Sequence, residues 1–82
     1  MNTKRYMIPI FGLDDFNKVA IAAKKLGYEF YLNFDYLRNP TVLFLTPTSH
    51  AEWSNRPVAH YRNSPYINVS VSKLEEIAGR KQ

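Results

Sequence analysis

The sequence predicts a small α+β domain, folded as a two-layer sandwich with one antiparallel or mixed sheet and helices on a single face. Two observations indicate this class. One segment repeats apolar residues at helical spacing and another opens with a helix capping box, whereas three others alternate apolar with polar residues or are continuously apolar over strand length. Because each pattern leaves an apolar side that needs cover, one sheet with helices on one face buries both kinds of element.

The first strand is predicted over Arg5 to Phe11, which is rich in aromatic and β-branched residues and ends at Gly12. Pro9 has no N–H group to donate to a neighbouring strand. We therefore expect this strand to lie at an edge of the sheet or to contain a bulge.

A helix is predicted after Gly12. Acidic residues open it and two lysines lie near its end, which is the charge order that the helix dipole favours. Gly27 can adopt the left-handed conformation that ends a helix. The residues at helical spacing are Phe16, Val19, Ala20, Ala23 and Leu26.

An antiparallel hairpin is predicted next. Its first strand, Glu29 to Tyr36, alternates strictly, which places Phe30, Leu32, Phe34 and Tyr36 on the core side. Residues 37–40 (Leu37-Arg38-Asn39-Pro40) have turn chemistry, and the continuously apolar Thr41 to Thr46 forms the second strand, which ends at Pro47.

The segment from Thr48 to Pro65 shows no sustained period, and we interpret it as irregular. A helical turn near Ala51 to Asn55 and a short strand near Val58 to Tyr61 are the expected local elements. If the segment is helical, the chain order permits a ferredoxin-like fold, and if it is extended, the sheet has a longer meander.

A last strand and helix are predicted at the end of the chain. Ile67, Val69 and Val71 alternate with polar residues, and Ser72 to Glu75 matches a capping box that opens a short helix. Gly79 is expected to end this helix and to leave a frayed basic terminus, residues 80–82.

Composition limits the class of protein further. With 82 residues the chain is expected to form a single domain, residues 1–82, whose core depends on 45% hydrophobic and 15% aromatic residues. The absence of cysteine and of any long apolar run predicts a cytoplasmic protein rather than a membrane or secreted one. The net charge of +4 is spread over both halves and permits attraction to nucleic acid or to an acidic protein surface.

No catalytic or metal-binding motif stands out, and we expect neither an enzyme nor a cofactor. His50 and His60 lack the spacing of a metal site. The acids that could be grouped as a magnesium site have simpler explanations as a helix start or a solvated strand face, and they are Asp14, Asp15, Glu29 and Asp35.

The segment from Trp53 to Tyr66 is the main candidate for a binding surface because it combines arginine with aromatic residues and contains no acid. The alternative is that its aromatic residues close a small core while its polar residues face solvent. Tyr31, a second exposed aromatic residue, matters only if it lies beside this segment. The candidate binding residues are Trp53, Arg56, His60, Tyr61, Arg62 and Tyr66.

The sequence thus favours a small non-enzymatic regulator that occupies a surface of nucleic acid or of a nucleic-acid-processing complex. One alternative is a protein-only inhibitor or adaptor, of the type that phages and mobile elements use, which docks on a host protein through an exposed strand edge. Another is a small ribonuclease-like toxin that uses His60 and Arg62. A homo-oligomer that completes its core across a symmetric interface is a further alternative.

Overall fold

The part of the chain that the structure describes contains four strands and two α-helices. The computed structural model describes residues 4–34, 37, 39–46 and 50–80. In chain order the elements are β1 (Tyr6–Pro9), α1 (Leu13–Lys25), β2 (Val42–Leu45), β3 (Ala51–Ser54), a 3₁₀ helix (Val58–Tyr61), β4 (Ile67–Asn68) and α2 (Val71–Arg80).

The strands form one mixed sheet in the order β3-β2-β1-β4. β2 is antiparallel to both β1 and β3, whereas β4 runs parallel to β1. The two helices pack against each other and against the sheet, so the predicted two-layer α+β sandwich is confirmed. The chain does not adopt the ferredoxin-like alternative, because a single 3₁₀ turn stands between β3 and β4 where that fold has a helix.

The main core lies between the helices and the sheet. Alternate residues of the central strands point toward the helices, and the apolar stripe of α1 meets them, as its spacing predicts. Leu74 and Ala78 contribute the matching stripe of α2. The sheet and α1 residues of this helix-side core include Tyr6, Ile8, Ile10, Leu43, Leu45, Phe16, Val19, Ala22 and Ala23.

The expectation that Pro9 marks an edge strand is wrong, because β1 lies in the middle of the sheet between β2 and β4. Alternate residues of a strand bond to opposite neighbours, and the carbonyls of Arg5 and Met7 accept hydrogen bonds from the β4 side. The backbone nitrogen of Pro9 therefore also points toward the β4 side, but β4 ends at Asn68, opposite Met7. The missing N–H of Pro9 thus costs the sheet no hydrogen bond.

The predicted hairpin is also wrong. Residues 28–34 show the expected alternation of buried and exposed side chains, but they are not a strand, and β2 pairs with β1 and β3 instead. The segment is fixed by its side chains: the rings of Phe30 and Phe34 meet Phe16 edge-on, at centroid distances of 5.4 and 5.5 Å. Asp35, Tyr36, Arg38 and Pro47, which belong to the same prediction, lie outside the described residues.

Both expectations for the irregular segment are reversed in the structure. The predicted helical turn at Ala51 to Asn55 contains β3, and the predicted strand at Val58 to Tyr61 is the 3₁₀ helix. In β3 the small and aromatic residues alternate with polar ones, which is the period of a strand. Pro57, directly before the 3₁₀ helix, keeps an extended ψ of 144°, and its carbonyl accepts the first hydrogen bond of the turn from the His60 N–H.

The last strand is shorter than predicted, and α2 begins earlier. β4 comprises only Ile67–Asn68, and the helix starts at Val71. The Ser70 hydroxyl, rather than that of Ser72, accepts a hydrogen bond from the Lys73 N–H, at 3.0 Å. The helix also continues through Gly79 to Arg80, and Lys81 and Gln82 lie outside the described residues.

Tyr28 links the end of α1 to the start of β1 and gives the fold a specific pH dependence. Its buried hydroxyl donates a hydrogen bond to the Lys4 carbonyl, and burial, with a contribution from Tyr6, raises the pKa of Tyr28 to about 12. The unfolded chain ionises near the ordinary pKa of 10, so the unfolded state loses its proton first and stability falls as the pH rises from 10 to 12.

We expect Tyr28→Phe to weaken this dependence. The variant loses about 1 kcal/mol at neutral pH with its hydrogen bond, but its stability should fall less between pH 10 and 12 than that of the wild type. Urea denaturation followed by circular dichroism at several pH values measures both effects. Equal falls for the two proteins over this range would contradict the assignment to Tyr28.

Candidate functional site

The face of the sheet opposite the helices, here called the outer face, carries a second and smaller core. Met7, Val42 and Phe44 are buried there. They are covered by residues 55–66, here called the cover segment, which contains the 3₁₀ helix and contributes the partly buried Val58, Tyr61 and Tyr66. The cover segment therefore has a defined seat on the sheet.

Tyr61 and Tyr66 hold the cover segment in place. Both rings pack against Phe44, each with a centroid distance of 4.9 Å, at interplanar angles of 76° and 57°. The Tyr61 hydroxyl also shares a hydrogen bond with Ser54 Oγ at the end of β3. Each tyrosine is only partly buried, so it both closes the outer core and leaves ring surface accessible to a partner.

The side chain of Trp53 does not pack with Tyr61 and Tyr66 on the outer face. Trp53 pairs in register with Leu43, and its side chain packs against the helix-side core. The sheet thus separates Trp53 from Tyr61 and Tyr66, although the sequence analysis groups the three. The alternation of Ala51 to Ser54 is the signal that could have shown this, because it assigns successive residues to opposite faces.

The remaining predicted site residues, Arg56, His60 and Arg62, are exposed on the cover segment. The backbone of Arg56 is fixed at both ends: its N–H donates to Ser54 Oγ and its carbonyl accepts from the Thr41 hydroxyl. The His60 ring lies edge-on to Tyr61 at a centroid distance of 4.9 Å. The structure therefore places all three residues on the anchored cover segment, and His60 and Arg62, the residues of the ribonuclease-like alternative, line one shallow concavity there.

Arg5 joins this surface, although the sequence analysis does not select it. Its carbonyl accepts a hydrogen bond from the Ile67 N–H, so the β1–β4 pairing continues to Arg5. Strand alternation then places Arg5 on the same face as Met7, and its side chain is exposed. No local signal identifies Arg5, because its face depends on the sheet.

The charges separate by type across the molecule. Among the side chains that the structure describes, all three arginines belong to the outer face or its cover, whereas the lysines other than Lys4 lie on the helices. Glu52 is the one described acid on the outer face. The others lie on the helices or directly after α1, and they are Asp14, Asp15, Glu29, Glu75 and Glu76.

A pocket of about 340 Å³ opens between β3 and the cover segment. Phe44, Tyr61 and Tyr66 supply aromatic walls, and the consecutive β3 residues Glu52, Trp53 and Ser54 line the other side. Glu52 is exposed and lies opposite Phe44 in the strand register, on the outer face. The pocket combines stacking surfaces with a hydrogen-bond acceptor, which is suited to a planar ligand that carries donors.

The other candidate groups lie elsewhere. His50 pairs with Glu29 at 3.3 Å, and Asp15 accepts a hydrogen bond from the Phe11 N–H at 2.9 Å, as a first-turn acid does. Tyr31 is 84% exposed, and within the described chain it makes no ring contact with the cover segment.

Among the described residues, histidine and acidic side chains do not form a group of three or more that could hold a metal ion. In the same part of the chain, no helix has the length and apolar character needed to cross a membrane.

The fold and this surface define a small α+β sandwich whose outer sheet face is covered by an arginine-bearing segment. Comparisons with protein-family models, with curated proteins and with solved structures give no match.

Proposed function

We propose that this protein is a small non-enzymatic binding protein that contacts nucleic acid, free or within a nucleic-acid-processing complex, through the outer face and cover segment. The observation that carries the proposal is the gathering of Arg5, Arg56 and Arg62 there, while most described acids lie on the opposite side. A surface with this polarity attracts a polyanion in one orientation.

The type of cation supports the same conclusion. The planar guanidinium group binds phosphate oxygens through two parallel hydrogen bonds and also stacks on bases and aromatic rings, whereas a lysine ammonium acts as a hydrated point charge. Tyr61 and Tyr66 present partly accessible rings within the same segment. Proteins that bind single-stranded nucleic acid combine positive charge, which contacts the backbone, with exposed aromatic rings, on which the bases stack.

A triple variant tests the proposal. Arg5→Ala, Arg56→Ala and Arg62→Ala together should weaken binding of a labelled single-stranded oligonucleotide on the order of 100-fold, at roughly 1 kcal/mol for each lost contact. The slope of log affinity against log salt should also fall by about 0.7 for each lost phosphate contact. Fluorescence anisotropy at salt concentrations from about 50 to 200 mM measures both the affinity and its salt dependence.

The matched control is Lys18→Ala, Lys24→Ala and Lys25→Ala on α1, which removes the same formal charge from the helix side. We expect it to retain most of the affinity. An equal loss in the two triple variants would show that net charge, rather than the outer face, determines binding. A wild-type protein that binds no oligonucleotide would refute the proposal.

Phe11 favours the protein-only inhibitor or adaptor as a second candidate. Its side chain is 91% exposed between β1 and α1, with a concave surface on either side of it. Aromatic residues, phenylalanine among them, are enriched at protein–protein interfaces relative to the rest of the surface. Capture of a defined protein that survives nuclease and high salt, and that is lost in Phe11→Ala, would favour this candidate over the first.

A further inference from the structure

Glu52 is unusual in its surroundings. It is the one described acid on a face that carries three arginines, and a carboxylate there repels the phosphates that the proposed function requires. Within the described chain, neither an ion pair nor a hydrogen bond engages its carboxylate. Both carboxylate oxygens are therefore available as acceptors at the pocket.

The pocket beside Glu52 has the walls that a flat ring requires. Phe44 forms its buried side, and Tyr61 and Tyr66 stand at steep angles to Phe44. The Ser54–Tyr61 hydrogen bond fixes one of these walls to β3, the strand that also carries Glu52. A base that entered this pocket would meet aromatic surface and the carboxylate together.

The chemistry of a carboxylate selects among the four bases. An ionised carboxylate only accepts hydrogen bonds, and its two oxygens match two adjacent donors. Guanine presents such a pair, N1–H and the N2 amino group, on its Watson–Crick edge. Adenine and cytosine place a lone pair beside their amino group, and uracil or thymine places a carbonyl on each side of N3–H, so each presents an acceptor to the carboxylate.

We propose that this pocket binds a guanine base of single-stranded nucleic acid, with N1–H and N2–H donating to the two oxygens of Glu52 and the ring against Tyr61 or Tyr66. The proposal rests on the proposed function, because the arginines supply the backbone contacts that bring the strand to the pocket. It adds a base preference that charge alone does not give, since phosphate contacts carry no sequence information.

The test uses adenine- and uracil-containing RNA octamers with one variable central nucleotide: guanosine, inosine, adenosine, cytidine or uridine. The wild-type protein should bind the guanosine oligonucleotide roughly 5- to 100-fold more tightly than the adenosine, cytidine or uridine ones, which is the range of a good bidentate base contact. Inosine lacks the N2 amino group, so its oligonucleotide should have intermediate affinity.

Glu52→Gln should remove the guanosine preference, because the amide replaces one acceptor with a donor, while affinity for the other octamers stays the same or rises slightly. Glu75→Gln on the exposed face of α2 removes the same charge and should keep the preference. Preference that persists in Glu52→Gln, or a preference for another base, would overturn the guanine pocket.

The two proposals fail in different ways. Equal, salt-dependent affinity of the wild type for all five octamers would overturn the guanine pocket and leave the proposed function standing. No measurable affinity for any octamer would overturn both.

Discussion

Replacing Leu43 by alanine is expected to lower the free energy of unfolding by about 3 to 5 kcal/mol. Leu43 is fully buried in β2, between Ile8 of β1 and Trp53 of β3 in the strand register, and its side chain packs in the helix-side core. The lost side chain leaves a cavity between the sheet and the helices. Because the backbone hydrogen bonds of both layers hold them in place, the cavity can collapse only in part.

This loss is large for a chain of 82 residues. Small proteins are stable by about 5 to 15 kcal/mol, so the melting temperature should fall by roughly 15 °C or more. Thermal denaturation followed by circular dichroism measures the change.

Leu37→Ala serves as the matched control for Leu43→Ala. Leu37 is 97% exposed, and its replacement should change stability by no more than about 0.5 kcal/mol. Similar melting temperatures for Leu43→Ala and Leu37→Ala would show that β2 does not occupy the centre of the core.

Elements whose signals are local could be predicted from the sequence. The apolar spacing of α1, its acidic start and the left-handed Gly27 all lie within one segment, and the helix is where they indicate. The continuously apolar β2 was correctly identified as a strand for the same reason. Its apolar residues on both faces are buried because the helices cover one face of β2 and the cover segment covers the other.

Pairing could not be predicted in the same way. Residues 28–34 alternate as a strand does, but alternation reports only which side chains are covered, and here aromatic contacts with α1 do the covering. Pro9 indicates an edge strand because it has no N–H group to donate to a neighbouring strand. In the structure β4 ends before it reaches Pro9, so no donor is needed there. Both errors concern contacts between residues that are distant in the sequence.

The candidate site was predicted in part. Composition selects the segment from Trp53 to Tyr66, and the cover segment is the part of it that lies on the outer face, with Tyr61 and Tyr66 packed on the outer core and Arg56, His60 and Arg62 exposed. Trp53 was included and Arg5 omitted because the side of the sheet that each faces depends on strand alternation and sheet order. The order of residues in a short segment does not show which face of the sheet each side chain occupies, because that depends on how the strands pair.

Phe44→Ala is expected to lower stability by about 3 kcal/mol and to release the cover segment. Phe44 is 8% exposed, and its ring contacts both Tyr61 and Tyr66. Because the adjacent pocket admits water to the vacated space, we expect a loss at the low end of the range for a buried phenylalanine. Chemical denaturation measures this loss.

Amide hydrogen exchange should locate the same change. The N–H groups of His60, Arg62 and Ser64 donate to backbone carbonyls within the cover segment, so their exchange should accelerate more than that of α1 in Phe44→Ala. Phe11→Ala removes an identical but exposed side chain and should leave both stability and exchange near wild type. If exchange in the cover segment accelerates no more than that of α1, the seat of the segment does not depend on Phe44, and other contacts position the arginines that it carries.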